Sequence, residues 1–257
     1  MSKEKDMYQQ ERMDAIMEIL KNNHYVTVDF LVEKIRFSPA SIRRDLTLLE
    51  KQGLVTRSYG GVTLSDANYA PFKFRRHSMK SVKNAIAKRA AALVESGDVI
   101  FLDGSSTTQY MGKYLAEKKN LTVVTCNMPL AEQLSGYGIV TYCTGGVVVE
   151  HPGILGGDIL AKTLSCFYVD KAFFASNAFS TEGKILVHNE RKLSEYKAMR
   201  ESAKKLVYLC GSDKFNSSSR FTGFTLEEID CFISDGELPE ELKEKHPNTE
   251  LICVKDE

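Results

Sequence analysis

The sequence lacks the residue patterns of several large protein classes. None of its six cysteines forms a Cys-x-x-Cys pair, and none lies near a histidine at the spacing of a zinc site. The five histidines have no paired spacing, so neither a metal centre nor a Ser-His-Asp triad is supported. No apolar run approaches the ~18 residues of a membrane span, and the charged start is unlike a signal peptide. We therefore expect a cytoplasmic protein without cofactor or metal, with reduced cysteines in its core.

The chain also lacks a net charge. Its 34 Lys and Arg residues balance 34 Asp and Glu residues, so the formal charge at pH 7 is zero. A neutral protein is not a general polyanion binder, and any affinity for nucleic acid must come from local basic patches. The length of 257 residues suits two domains.

Three short amphipathic helices are predicted near the start of the chain. Apolar residues three and four positions apart indicate helices near 13–20 and 28–35. A serine–proline pair that begins with Ser38 is a strong start signal for a third helix over 39–52. Gly53 suits the left-handed position that often follows a helix. A β-hairpin with a Tyr-Gly-Gly turn follows and would form a wing.

The outer face of the third helix predicts DNA binding. Arginine pairs with guanine edges and with phosphate oxygens, and a recognition helix meets both in the major groove. Asp45 interrupts this basic face, and we expect it to hold an arginine rather than touch DNA. The alternative is a three-helix bundle with a solvated arginine pair. The predicted DNA contacts are Ser38, Ser41, Arg43, Arg44, Thr47, Arg57 and Tyr59.

Composition divides the chain into a DNA-binding domain over 1–64, a linker over 65–80 and a second domain over 81–257. Basic residues without acidic neighbours continue from 73 to 89. They fit a solvated linker that runs into an amphipathic helix. The other interpretation is phosphate contact or a signal relay between the domains.

The second domain reads as an α/β fold with a mainly parallel sheet. Apolar runs bounded by turn signals predict buried strands, and helical stretches lie between most of them. The predicted strands are 99–102, 121–125, 140–143, 172–175, 206–209, 231–234 and 251–254, and the clearest helices are 109–118, 193–204 and 239–245.

A polar loop directly after the first of these strands is the candidate ligand site. Ligands of open α/β sheets bind at the carboxyl ends of strands, and free amides at the start of a helix attract anions. The loop has no Walker lysine, so it is not an ATPase loop. The alternative is an ordinary helix-capping turn. The candidate effector residues are Asp103, Gly104, Ser105, Ser106, Thr107 and Thr108, with Asn127 after the next strand and Lys214 after a later one.

Nearly the whole chain resembles a DeoR-family transcriptional regulator. The resemblance rests on motifs in suitable order, SPASIRRDLTLLEKQGLVTRSYGG, GDVIFLDGSSTT, LTVVTCN, VDKAFFA, KAMRESA, DKF and EEIDCFISD. It implies a winged helix-turn-helix followed by an effector domain similar to the sugar-phosphate isomerase and CoA-transferase fold. It also implies an oligomer, dimer or tetramer, that represses a carbohydrate operon in response to a phosphorylated sugar.

The sequence departs from the family pattern in several places. The resemblance assigns DNA contacts to Ser41, Arg43, Arg44 and Arg57, a phosphate cradle to the polar loop, and an effector contact to Lys214. Tyr59 replaces the usual histidine of the wing. Near the presumed effector site, Ser194 and Tyr196 stand where the family often has an acid and a lysine. The other departures there are Asn177, Ala178, Gly211 and Asp213.

Two other functions remain open at this stage. A sugar-phosphate isomerase would need a base that moves a proton between carbons. Related isomerases carry carboxylates after the strand near 172–175, where this chain has Ser176 and Asn177, so we predict that it is not an enzyme. A transcriptional activator is the other alternative.

Overall fold

The chain divides into two compact units, Met1–Ser78 and Met79–Glu257. The computed structural model describes residues 9–23, 26–58, 61–64, 72–77, 79–150 and 152–254. Within these residues no helix is both long and apolar enough to cross a bilayer. Half of the expected linker over 65–80 lies outside the described residues; its later part contains a short helix at 72–75 and the start of a long one at Lys80.

The N-terminal unit is a three-helix core with a small antiparallel sheet, as the sequence predicts. The sheet order is β1-β3-β2, and the two-residue strand β1 is an element that the sequence pattern did not indicate. The elements are α1 (Gln9–Asn22), β1 (Val26–Thr27), α2 (Val28–Ile35), α3 (Pro39–Lys51), β2 (Val55–Ser58), β3 (Gly61–Leu64) and α4 (Phe72–Arg75).

Side-chain caps fix where α2 and α3 begin. The Thr27 hydroxyl accepts a hydrogen bond from the Phe30 amide at 3.2 Å. The Ser38 hydroxyl accepts one from the Ser41 amide, also at 3.2 Å. Each cap satisfies an amide that the first helical turn leaves unpaired. Pro39 occupies the first turn of α3, where its missing N–H costs no helical bond.

A Schellman turn ends α3. The Leu54 amide donates to the Leu49 carbonyl at 2.9 Å, while Gly53 takes a φ of +70°. That backbone conformation favours glycine, as the sequence predicts. The helix ends at Lys51, one residue earlier than predicted, because Gln52 is the cap residue.

A buried ion pair joins α1 to α3. Asp45 is fully buried, and its carboxylate accepts hydrogen bonds from Arg12 Nε at 2.7 Å and Nη2 at 3.2 Å. Gln9 Nε2 donates to the same carboxylate at 3.0 Å. The Arg12 guanidinium also stacks over the Phe37 ring, 4.7 Å from its centroid. Asp45 therefore holds an arginine, as expected, and ties α3 to α1.

The C-terminal unit contains a seven-stranded parallel sheet, and all seven predicted strands belong to it. Its elements are α5 (Lys80–Ala92), β4 (Val99–Leu102), α6 (Gly112–Leu115), β5 (Thr122–Thr125), α7 (Met128–Gly136), β6 (Val140–Cys143), β7 (Val147–Glu150), β8 (Ile154–Gly156), α8 (Asp158–Leu164), β9 (Val169–Phe174), β10 (Ala178–Phe179), β11 (Lys184–Val187), α9 (Arg191–Ser202), β12 (Ala203–Cys210), β13 (Phe221–Thr225), β14 (Cys231–Ser234), α10 (Glu240–Lys245) and β15 (Glu250–Cys253).

The strand order reverses in the middle of this sheet. The order is β15-β14-β12-β9-β4-β5-β6, so the chain moves outward from β4 to β6 and then returns to place β9 beside β4. Such a reversal is a topological switch point, and the loops that leave its two strands open a crevice at their carboxyl ends. Smaller antiparallel sheets, β10-β11-β13 and β7-β8, accompany the main sheet.

Both faces of the parallel sheet are covered. Neighbouring residues of β9 show this directly, because Phe173 packs into one apolar cluster and Phe174 into another. The expectation that all cysteines lie in the core is wrong: Cys143, Cys166 and Cys253 are exposed. Two of these are in β6 and β15, the edge strands, where less of the chain covers the sheet.

We predict that Asp45→Asn destabilises the N-terminal unit by about 3–5 kcal/mol, because it leaves the Arg12 charge without its buried partner. Hydrogen exchange of the α1 and α3 amides measures this local free energy. Glu33→Gln, which removes the same charge from the exposed face of α2, is the control. Equal exchange in the two variants would show that the buried pair contributes nothing to stability.

Candidate functional site

The outer face of α3 is basic and open. Arg43 and Arg44 are exposed, and neither guanidinium pairs with a carboxylate within the described parts of the chain. The apolar side of the same helix is fully buried through Ile42 and Leu46. A rigid helix with two free guanidinium groups on its first turns has the geometry of a recognition helix.

The wing is tied to this face through Thr47. Its hydroxyl donates to the Arg43 carbonyl at 2.9 Å and accepts a hydrogen bond from Arg57 Nη1 at 3.2 Å. Arg57 also lies 3.9 Å from Glu50. Thr47 and Arg57 therefore orient β2 against α3. Tyr59, the remaining predicted contact, lies outside the described residues.

Asp103 bridges the two strands of the switch point. It follows β4, and its Oδ2 accepts a hydrogen bond from the Ala175 amide, after β9, at 3.2 Å. Its Oδ1 accepts from the Ser105 amide at 2.9 Å and the Thr108 hydroxyl at 2.8 Å. Asp103 is therefore the central acceptor that shapes the polar loop.

The loop over 103–108 divides its hydroxyl groups between two roles. Ser105 and Thr108 hydrogen-bond each other at 2.9 Å and so maintain the loop. The hydroxyls of Ser106 and Thr107 have no hydrogen bond to any other described residue, although these residues are only 4% and 2% exposed. Neither oxygen is among the buried side-chain atoms that lack a partner, so both hydroxyls reach solvent and can bind a ligand without breaking a bond of the loop.

The helix expected after this loop differs from the prediction. Instead of a continuous helix over 109–118, the chain forms a 3₁₀ turn at Thr108–Met111 and a four-residue helix at Gly112–Leu115. Thr108 and Gly112 cause this, since the Thr108 hydroxyl binds back to the loop and glycine is a weak helix former. A short helix supplies little dipole, so anion binding must rely on hydroxyls, amides and cations.

Gly104 lets the loop approach β8, and Asn127 begins the helix that follows the next strand. Asn127 Oδ1 caps α7 by accepting from the Leu130 amide at 3.1 Å, while its Nδ2 is buried without a partner in the described chain. A side chain at Gly104 would collide with Ile154 of β8. Glycine is thus needed for the loop to approach β8 so closely.

Lys214 lies at the other side of the switch point. Its Nζ donates to the Ser176 carbonyl at 2.8 Å, after β9. The Ser176 hydroxyl in turn pairs with the Tyr208 hydroxyl at 2.6 Å. The structure thus brings Lys214 to the carboxyl end of β9, the strand whose following amide binds Asp103.

Helix α9 contributes three residues; sequence reasoning missed Lys192 and Glu195 and noted Tyr196 only as a departure from the family pattern. Lys192 Nζ lies 2.7 Å from Glu195 Oε2, and Glu195 Oε1 accepts from the Gly157 amide at 3.3 Å. The Tyr196 hydroxyl donates to the Ala175 carbonyl at 3.2 Å. Burial and the nearby Asp103 carboxylate raise the pKa of Tyr196 well above its usual range, so it stays neutral. In the sequence, these residues could have been found only by their i, i+3, i+4 spacing, which places them on one face of a highly charged helix.

The departures from the family pattern make mainly local contacts. A side chain at position 211 would meet only the carboxylate end of Asp213, which can rotate away, so Gly211 is compatible with Asp213 but not required by it. Asn177 Oδ1 accepts from the His188 amide at 3.2 Å. Ser194 bonds within its own helix, to the Arg191 carbonyl at 3.0 Å.

Comparisons with known proteins agree for both units. Residues 12–68 match the DeoR-like helix-turn-helix domain, and residues 78–236 match the DeoR C terminal sensor domain. The transcriptional repressor GlcR of Bacillus subtilis is 33% identical, covering 89% of both chains. GolR of Listeria innocua, a transcriptional regulator, is 30% identical over 95% of this chain and 98% of its own. The glycerol-3-phosphate regulon repressor of Escherichia coli is 25% identical over 91% and 93%.

Solved structures show weaker similarity. Ribose 5-phosphate isomerase A of Neisseria gonorrhoeae aligns over 54% of this chain and 53% of its own, at 18% identity and a TM-score of 0.38. eIF2B beta of Chaetomium thermophilum aligns over 87% and 65%, at 14% identity and a TM-score of 0.46. The fold assignment therefore rests on the parallel sheet itself.

Proposed function

Because the chain belongs to the DeoR family and is a DNA-binding transcriptional regulator, we propose that it represses a carbohydrate-metabolism operon until a phosphorylated sugar binds. The relatives named above include repressors, one of them of a glycerol-3-phosphate regulon. The protein would act in the cytoplasm as a homo-oligomer, since a dimer or tetramer presents paired recognition helices to a two-fold operator.

The two exposed arginines of α3 support operator binding. Their fork-shaped groups suit guanine edges and phosphate oxygens, and the capped helix holds them in one orientation. Ser38, Ser41 and Arg57 would add contacts to the DNA backbone, because such contacts fix the register of the protein. Thr47 would contribute by holding the wing rather than by reading a base.

The free hydroxyls of Ser106 and Thr107 at the switch point most directly support effector binding. They stand with the loop amides where open α/β sheets bind ligands. Lys214 and the unpaired Asn127 Nδ2 can add donors nearby. A phosphate needs several donors and a cation, and this combination offers both.

Catalysis is not part of this proposal. An isomerase base must be free to take a proton from the substrate. The Asp103 carboxylate already accepts three hydrogen bonds, and the buried Glu195 carboxylate is paired with Lys192. The second carboxylate, which the sequence did not reveal at this site, is therefore engaged as well.

We predict that Arg43→Ala/Arg44→Ala abolishes operator binding without unfolding either unit. Fluorescence anisotropy over a range of salt concentrations measures this, and the salt slope falls by about 0.9 for each lost phosphate contact. Lys243→Ala/Lys245→Ala removes two charges from α10 and is the matched control. Unchanged affinity and slope in the α3 variant would refute the assignment of the recognition helix.

We predict that Thr107→Glu makes repression insensitive to the effector. The new carboxylate would occupy the loop and repel a phosphate, while operator binding should stay near the wild-type value. A reporter gene with and without the inducing sugar provides the readout. Thr181→Glu, the same change at an exposed position, should remain inducible. An inducible Thr107→Glu variant would place the effector elsewhere.

We expect no isomerase turnover from the full-length chain with ribose 5-phosphate or glucose 6-phosphate. Nuclear magnetic resonance of the sugar mixture detects the ketose product, and an authentic isomerase is the positive control. Turnover that Asp103→Asn abolishes would contradict the proposal of a non-catalytic sensor.

A further inference from the structure

Helix α9 carries three polar side chains on one face, and one of them reaches the residue that Asp103 binds. Lys192, Glu195 and Tyr196 lie at positions i, i+3 and i+4, which share one face of a helix. Tyr196 and Asp103 bind the same residue, since the Ala175 carbonyl accepts from the tyrosine and its amide donates to the carboxylate. This face of α9 and the polar loop therefore meet at the end of β9.

Tyr196 cannot supply a positive charge, although the family resemblance places a lysine here. Its ring stacks on Phe224 with centroids 4.9 Å apart and meets the edge of Phe174 at 5.4 Å. A side chain at Gly223 would collide with the ring, so β13 is shaped to receive it. A buried aromatic residue has replaced the cation at this position.

Lys192, one turn earlier on the same face, carries a cation toward the same place. Its side chain is 30% exposed, whereas that of its partner Glu195 is 7% exposed. Burial alone would lower the pKa of Lys192, but the carboxylates of Glu195 and Asp103 raise it above the usual value. The ammonium group is thus charged, and its side chain remains partly exposed. Its contact with Glu195 uses one of three N–H donors.

We propose that Lys192 binds the phosphate group of the effector, and that Glu195 competes with this phosphate for the lysine. The inference rests on the proposed function, because it assumes a phosphorylated effector at the polar loop. Ser106 and Thr107 would donate hydroxyl groups while Lys192 supplies the charge. The ligand class that fits is a phosphate monoester, whose dianion attracts an ammonium group more strongly than a single carboxylate does.

Lys214 has a different role in this arrangement. Its ammonium group is held by the main-chain carbonyl of Ser176, and that carbonyl cannot leave without moving the end of β9. Glu195, in contrast, retains the Gly157 amide as a second partner when it releases Lys192. Replacement of a protein acceptor by a phosphate group is therefore easier at Lys192 than at Lys214.

The test compares Lys192→Met, Glu195→Gln and the double variant in the full-length protein. Calorimetric titration with ribose 5-phosphate, glucose 6-phosphate and glycerol 3-phosphate gives the affinities. We expect Lys192→Met to weaken binding at least tenfold and Glu195→Gln to tighten it severalfold, because the lysine loses its competing anion. Lys197→Met, an exposed lysine of the same helix, should bind as the wild type does. Unphosphorylated ribose and glycerol should show neither effect.

The double variant protects the test against misfolding. Lys192→Met alone leaves a buried carboxylate unpaired, whereas the double variant removes both charges and keeps an acceptor for the Gly157 amide. The double variant and Glu195→Gln differ only at position 192, so their affinities give the contribution of the lysine to binding. Tenfold weaker binding by the double variant than by Glu195→Gln supports the proposal. Equal affinities of these two variants would overturn it.

The outcomes separate this inference from the proposed function. One outcome is that the wild type binds the phosphorylated probes and the Lys192 variants bind them equally well. This result would be consistent with a phosphorylated effector but would refute the role of Lys192. Weakening by both single substitutions would also refute it, since it would indicate only a structural ion pair. Absence of binding to all three probes in the wild type would overturn both the phosphorylated effector and the inference.

Discussion

The hydrogen bonds of the Asp103 carboxylate join the two halves of the parallel sheet where its strand order reverses. One oxygen accepts from the amide after β9, and the other accepts from the loop that leaves β4. These bonds hold Ser105 and Thr108 in place and leave the Ser106 and Thr107 hydroxyls without partners. The proposed effector site therefore depends on one buried acceptor, which organises the donors instead of binding the ligand itself.

Local sequence signals were sufficient to predict the features of the fold that depend on neighbouring residues. The serine–proline start, the glycine after α3 and the continuous apolar runs of the strands each act over a few residues, and all were visible. The order of the strands was not, because it depends on pairings between distant segments, such as β4 with β9. In the same way Asp45 was expected to hold an arginine, but its partner Arg12 lies 33 residues away.

Within the candidate site, the loop after β4 could be predicted from the sequence, whereas the contribution of helix α9 could not. The polar residues after β4 were recognisable because parallel strands place their carboxyl ends at one edge. Lys192 and Glu195 instead lie in a highly charged helix, and such a pair normally faces solvent. Only the packing of α9 on β8, where Glu195 meets the Gly157 amide, turns this pair toward Asp103. The prediction of a continuous helix after the loop was wrong for a local reason. The hydrogen bonds of the Thr108 hydroxyl override the helix propensity of this segment.

The departures from the family pattern need not mean that ligand binding is lost, because one of them is accompanied by a charged residue nearby. Tyr196 fills an aromatic pocket at a position where the family resemblance leads one to expect a lysine, and Lys192 carries a positive charge one turn earlier. A cation that moves by one helical turn is displaced about 5.4 Å along the helix axis, so the anion it binds must shift or the ligand must differ in length. In the proposed site, this displacement would select a different phosphorylated compound while leaving the Asp103 framework unchanged.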